Sequence, residues 1–408
     1  MTIPLSAPDV QEEEIESVAA VLRSAHLSLG PKLEEFEHAI AAYVGAGNAI
    51  GVSSGTAGLH LCVRALGIGA GDEVIVPSFA FIAVANVVRY ENAIPVFVDI
   101  EPETLNVDPS RIEAAITPRT KAILVVHTFG CPAELSKIVD IARRHNLYVI
   151  EDACEAFGAE YENRKVGNQC DAGVFAFYPN KQITTGEGGV VVTANPRTAS
   201  VVRVLRNQGR VSSEDWLQHS ELGYNYRLSE MNCALGISQL KRIEAILSRR
   251  EEIARKYSDK LTENENLQLP PLAVPLRRIS WFVYVVRLSG SWSQVHRDWI
   301  VKEMNRRGIA CGRYFAPIHL QPAYQFASVR RTDLSVTEYQ ASRSLALPFF
   351  NRLQDEQIEE VCENYASRFN WPGALLRKRL TNTPVRGLCS TSMSRRRRLT
   401  FSSIWRRA

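Results

Sequence analysis

KAILVVHTFGCPAELSKIVDIARRHNLYVIEDAC, residues 121–154, reads as strand, helix, strand. Its two ends are short runs rich in Val, Ile and Leu, the composition of strands buried on both faces. Between them AELSKIVDIARRHN (133–146) spaces its apolar residues three and four apart, one face of an amphipathic helix. The alternation extends both ways. EVIVPSF (73–79) and IPVFVDI (94–100) lie before this unit, GVFAFYP (173–179) lies after it, and GTAGLHLCVRALG (55–67) is a further helix. The expected class is α/β, with a mostly parallel sheet covered by helices.

Towards the C-terminus the pattern changes. A long helix is predicted within YNYRLSEMNCALGISQLKRIEAILSRREEIARKYSDKL (224–261), and ENENLQLPPLAVPL (263–276) is a polar, proline-rich loop near a domain boundary. SWFVYVVRL (280–288) then reads as a strand and RDWIVKEMNRRGIAC (297–311) as a helix leading to another strand. We expect a large α/β domain over 1–245 and a smaller C-terminal α+β domain over 246–369. Residues 370–408 hold ten Lys or Arg and no acidic residue, and are expected to be a basic, disordered tail.

The 408 residues are 45% hydrophobic and 23% charged, ordinary for a globular chain of about two domains. The net charge of +4 belongs to the tail, because the rest of the chain carries six more acidic than basic residues. The body therefore offers no nucleic-acid surface; the tail leaves binding to acidic membrane or RNA open. No uncharged apolar run reaches about 18 residues. The acidic start MTIPLSAPDVQEEEIESV lacks the basic-then-apolar pattern of a secretory leader, so a cytoplasmic protein without a membrane partner is expected. Eight cysteines scattered without CxxC pairs predict free thiols, with no disulfide and no metal.

In an open parallel sheet, ligands bind beyond the carboxyl ends of the strands. Three successive strands end there in polar groups: His127, Asp152, and Lys181 in the loop past the third. Taken singly, Lys181 reads as a solvated loop residue and Asp152 as a helix cap. Taken together, a lysine and a carboxylate at neighbouring strand ends suit pyridoxal 5'-phosphate, which needs an amine for its aldehyde and an acid for its ring nitrogen. SSGTAGLH (53–60) places Ser53, Ser54, Gly55 and Thr56 before a helix, where backbone N–H groups and the helix dipole favour a phosphate. The same residues also serve as an ordinary helix cap.

Seven segments in order carry a resemblance: SSGTAGLHLCVRALGIGAGDEVIVPSF, PVFVDIEPETLNVDP, AITPRTKAILVVHTFG, VIEDACEAFGAEY, FAFYPNKQITTGEGGVVVT, GYNYRLSEMNCALGISQL and HLQPAY. From about residue 5 to 365 the chain resembles the DegT/DnrJ/StrS family of nucleotide-sugar aminotransferases. The resemblance implies the aspartate-aminotransferase-like, fold type I architecture of pyridoxal-phosphate enzymes. It implies that Lys181 is the Schiff-base lysine and general base, and that Asp152 partners the ring nitrogen. Glu155 falls near the ring, Gly55 and Thr56 in the phosphate turn, and Phe81 where an aromatic side chain stacks on the cofactor. Asn225 falls where an asparagine reaches the phosphate of the neighbouring subunit, which makes a homodimer the expected active unit. Arg227 and His319 are the substrate candidates.

Each position keeps a plainer rival. Phe81 suits a core, Asn225 a turn, Arg227 a surface ion pair and His319 packing under a proline-rich loop, while Glu187 in GEGG reads as structural. Ala176 stands where relatives carry a phosphate-binding serine, and Ala80 where a threonine is frequent. The implied activity is ping-pong transfer of an amino group from an amino acid, glutamate by analogy, to a nucleotide-linked keto-sugar. A sugar dehydratase of the same family and a non-catalytic cofactor-binding regulator are the alternatives. The dehydratases replace the lysine with histidine, so Lys181 argues against the first.

Overall fold

The apolar alternation of the strands sorts side chains onto two faces. In β4 (Thr120–Val126), Ile123 and Val125 join the core on one side of the sheet, while Ala122, Leu124 and Val126 join the core on the other. A strand buried on both faces belongs in a sheet covered by helices on both sides. The computed structural model describes residues 2–211, 218–290, 292–325 and 328–366. The tail expected at 370–408 lies outside them.

Along the chain the strands are β1 (Asn48–Val52), β2 (Glu73–Pro77), β3 (Ile94–Val98), β4 and β5 (Tyr148–Asp152). There follow the two-residue β6 (Glu160–Tyr161) and β7 (Arg164–Lys165), then β8 (Ala172–Ala176) and β9 (Gly189–Thr193). The remainder are β10 (Leu267–Gln268), β11 (Arg277–Arg278), β12 (Tyr284–Leu288), β13 (Arg330–Arg331) and β14 (Ser344–Leu347). The main sheet has eight strands in the order β1-β9-β8-β5-β4-β2-β3-β13. Only β9 runs against the others, pairing antiparallel with both β1 and β8. A three-stranded antiparallel sheet, β10-β12-β14, is built from the C-terminal third. This is the fold type I architecture.

Three expectations change at element level. The long helix over 224–261 is two helices, Glu230–Lys241 and Ile243–Leu261. Ser229 caps the first by accepting from Asn232 N–H. Arg242 breaks the run, its guanidinium held by Asp9 at 2.8 Å and Glu14 at 2.7 Å. In the segment read as a strand over 280–288, residues 280–282 leave the ladder. Ser280 N–H and Phe282 N–H instead donate to the carbonyls of Gly130 and Phe129, both at 3.1 Å, in the turn beyond β4. After helix Gln294–Arg306, the expected strand reduces to bridges at Ile309 and Gly312. These departures are tertiary: side chains or turns distant in sequence outbid the local pattern.

Candidate active site

The carboxyl ends of β4, β5 and β8 are adjacent in register, with Val126 opposite Asp152 and Asp152 opposite Val174. The loops that leave them, with the start of helix Gly55–Ala65, wall a cleft of about 560 Å³. Ser54, Gly55, Thr56, Phe81, Asp152, Glu155, Ala176, Lys181 and Glu187 all line it. Of the three strand-end candidates, Asp152 and Lys181 line the cleft, together with Gly55, Thr56, Phe81 and Glu155 of the positions that the resemblance named.

Lys181 Nζ lies 3.8 Å from Glu155 Oε1 and 3.9 Å from the centre of the Phe282 ring, a cation–π contact. Glu155 is buried, and its other carboxylate oxygen accepts from Phe129 N–H at 3.0 Å. Burial raises the Glu155 pKa above its ordinary value, against the pull of Lys181. Asp152 ends β5 with 7% of its surface exposed and accepts from Cys154 N–H at 3.1 Å. It has no ion-pair partner within 4 Å among the described residues. Burial raises its pKa too, with hydrogen bonds from Cys154 and the charge of Lys181 opposing. An acid so placed is stabilised by a cation brought against it.

Helix Gly55–Ala65 opens on the cleft. Ser54 is its N-cap and accepts from Ala57 N–H at 3.0 Å, while the N–H groups of Gly55 and Thr56 stand ahead of any intrahelical acceptor. Gly55 is required by crowding: a Cβ there would meet Ala176 Cβ and Cys154 Sγ, each at 2.7 Å. The Oδ1 of Asn180, next to the lysine, is buried without a hydrogen-bond partner. An amine, a buried unpaired acid, an anion-binding helix start and an orphaned acceptor in one cleft match the groups that pyridoxal phosphate presents.

Other candidates fall elsewhere. His127 is fully buried and turned away from the cleft. Its Nδ1 accepts from Ala133 N–H at 3.0 Å, which leaves the proton on Nε2 for Glu151 at 3.0 Å. His319, the second substrate candidate, does not line the cleft: it is 5% exposed, with Nδ1 2.7 Å from Ser78 Oγ and Nε2 3.1 Å from Glu338. Arg227 donates to Asn207 Oδ1 at 3.1 Å and does not reach the chain's own cleft, and neither does exposed Asn225. Phe81 is 60% exposed on the cleft wall, so its core reading does not hold. Glu187 is exposed at the cleft, and its carbonyl accepts from Thr185 and Asn232.

Phe282, Arg313, Tyr314 and Phe315 complete the wall, and sequence reasoning missed all four. Among the described residues Arg313 is the only cation there besides Lys181; its Nε is held by Asp298 at 3.0 Å. GRYFAP (312–317) carries an aromatic pair beside an arginine, a signal that local periodicity does not weigh.

Known proteins are similar to this chain over most of their length. GDP-perosamine synthase of Caulobacter vibrioides is 40% identical over 361 residues, 88% of this chain and 96% of that protein. The spore coat polysaccharide biosynthesis protein SpsC of Bacillus subtilis is 36% identical over 377 residues, 88% of this chain and 95% of SpsC. The PLP form of Spr1654 from Streptococcus pneumoniae superposes with a TM-score of 0.86 at 27% identity, covering 90% of this chain and 98% of that one. With the family model matching residues 8–366, the chain belongs to the DegT/DnrJ/EryC1/StrS aminotransferase family and is a pyridoxal-phosphate-dependent sugar aminotransferase.

Proposed function

We propose that the chain moves the amino group of glutamate to a keto-sugar carried on a nucleoside diphosphate, for a polysaccharide or a sugar-containing natural product. The observation that carries this reading is the cleft that Lys181 shares with a buried, unpaired Asp152 at the open end of helix Gly55–Ala65. Two relatives support the acceptor class by name, a GDP-perosamine synthase and a spore coat polysaccharide biosynthesis protein.

When bound, pyridoxal phosphate supplies the electron sink for the carbanion at the donor's Cα. Gly55 and Thr56 would hold its phosphate with backbone N–H groups, helped by the Thr56 hydroxyl, since Ala176 brings none. Phe81, exposed on the cleft wall, would cover one face of the ring and shield it from water. Asp152 would hold the proton on the ring nitrogen, the pyridinium charge offsetting the cost that burial puts on its carboxylate. Lys181 would be the covalent anchor, and its Nζ would take the proton from the donor's Cα. Glu155 keeps that amine turned into the cleft. Arg313 offers a guanidinium to an anionic group of either substrate.

Phe81 and Tyr178 are 60% and 51% exposed at the cleft, apolar surface that a second copy would cover. In the homodimer we propose, Asn225 reaches the phosphate site of the neighbouring subunit, which explains its absence from its own cleft. We place the enzyme in the cytoplasm; among the described residues no helix is long and apolar enough to cross a membrane.

The test is the absorption spectrum of the purified protein. A visible cofactor band that glutamate bleaches, and that one of a panel of nucleotide keto-sugars restores, supports the proposal. A colourless protein, or a band indifferent to every amino acid, refutes it.

A further inference from the structure

A charged side chain deep in the protein touches the back of the Lys181 loop. Arg250, on helix Ile243–Leu261, is 3% exposed. Among the described residues no carboxylate lies within 4 Å of it, and its Nε has no hydrogen-bond partner. Its partners are three main-chain carbonyls. NH2 donates to Lys181 O at 3.2 Å, and NH1 donates to Trp281 O and Phe282 O, each at 3.4 Å. The guanidinium carbon lies 5.4 Å from the centre of the Phe349 ring. Burial pushes the Arg250 pKa down to about 10, so the group is still charged near neutral pH.

A buried charge with no carboxylate in contact is costly, Asp9 acting on it only from a distance, and packing alone would be served as well by an apolar side chain. The three carbonyls it holds are therefore informative. They belong to Lys181 and to the segment whose Phe282 ring lies 3.9 Å from Lys181 Nζ. Gln182 ties the same two segments again: its Nε2 donates to Ser280 O at 3.2 Å and to Ser280 Oγ at 3.0 Å, and also to Glu155 O at 2.6 Å. Phe129 closes the circuit, giving its N–H to the Glu155 carboxylate and its carbonyl to Phe282 N–H. A lysine tip on a flexible stem is only as well placed as the backbone that carries it.

We propose that Arg250 is a positioning residue for Lys181, locking the lysine's backbone to Trp281–Phe282 so that Nζ stays over the Phe282 ring and beside Glu155. This rests on the role proposed above for Lys181. The guanidinium is suited to the task because its fixed fork spans carbonyls of two segments, whereas a lysine in its place reaches one and a methionine none.

The test uses full-length Arg250→Met and Arg250→Lys. Each is stripped of cofactor and given pyridoxal phosphate, and capture on residue 181 is timed by borohydride trapping and peptide mass. Misplacing the amine by about 1 Å slows capture by up to roughly 100-fold in Arg250→Met, with an intermediate value in Arg250→Lys. Guanidinium ion at a non-denaturing concentration restores part of the rate in Arg250→Met. Amide exchange at Lys181 and Trp281–Phe282 quickens in both variants without cofactor.

Capture at the wild-type rate overturns the inference. So does a slowing that guanidinium leaves untouched and that merely follows a fall in the urea midpoint. If Arg250→Met does not fold, Arg250→Lys decides, and wild-type capture and exchange in that variant overturn it. A wild-type chain that never forms the adduct sinks the proposed function instead. The brace is then judged by amide exchange alone, and unchanged exchange overturns it.

Discussion

At the scale of single residues, the site depends on an acid that is uncomfortable alone. Asp152 and Glu155 both have pKa values raised by burial. A carboxyl raised in the folded state adds stability that is full below its unfolded pKa and is lost as pH climbs through the folded value. Asp152→Asn in the cofactor-free chain should therefore be more stable than wild type above the ordinary carboxylate range, by roughly 1–2 kcal/mol. The gap should close in acid; urea titrations across pH read it. The same variant should lose turnover by about 100-fold or more, because an amide cannot hold the ring proton. Its borohydride adduct should remain. Lys181 and Asp152 were legible because both stand at strand ends. His127 stands at one too, yet its side chain belongs with Glu151 on the opposite face, since neighbouring strand positions point opposite ways. Position was readable and direction was not.

At the scale of elements, helix Gly55–Ala65 is the part whose sequence and task agree most closely. Ser54 caps it, and Gly55 leaves its first turn open against β8. Gly55→Ala should cost about 1–3 kcal/mol by overpacking, because the added carbon meets Ala176 and Cys154 at 2.7 Å. Cofactor affinity should fall with it, measured by fluorescence titration. Wild-type values for both would deny that this turn is a close-fitting cradle. The strands and this helix were legible from period and capping. The site's far wall was not, because Phe282 reaches the cleft only through the bonding of segment 280–282 to the turn at 129–130. No local pattern in SWFVYVVRL reports a partner about 150 residues earlier. The break at Arg242 was hidden for a similar reason, since its acidic partners lie at the start of the chain.

At the scale of the whole molecule, the α/β class could be read because each strand–helix–strand unit is local, and the family because its segments keep their order. The homodimer was expected only through the resemblance at Asn225, because composition and period do not tell an exposed apolar residue such as Phe81 from core. Sedimentation equilibrium should find two 45.6 kDa chains per particle. Dilution to monomers should weaken cofactor binding in wild type, and Asn225→Ala should weaken it without dilution. A monomer with full affinity would contradict the dimeric site. Removing residues 367–408 should leave cofactor capture intact, because residues 1–366 form a compact unit and the family match ends at 366.

The most direct trial of the central claim is a single mass spectrum of the protein reduced with borohydride and digested. The account predicts that the cofactor's mass sits on the peptide carrying Lys181, and that Lys181→Ala, still folded, carries none. An adduct on another lysine, or one of equal yield in Lys181→Ala, contradicts it.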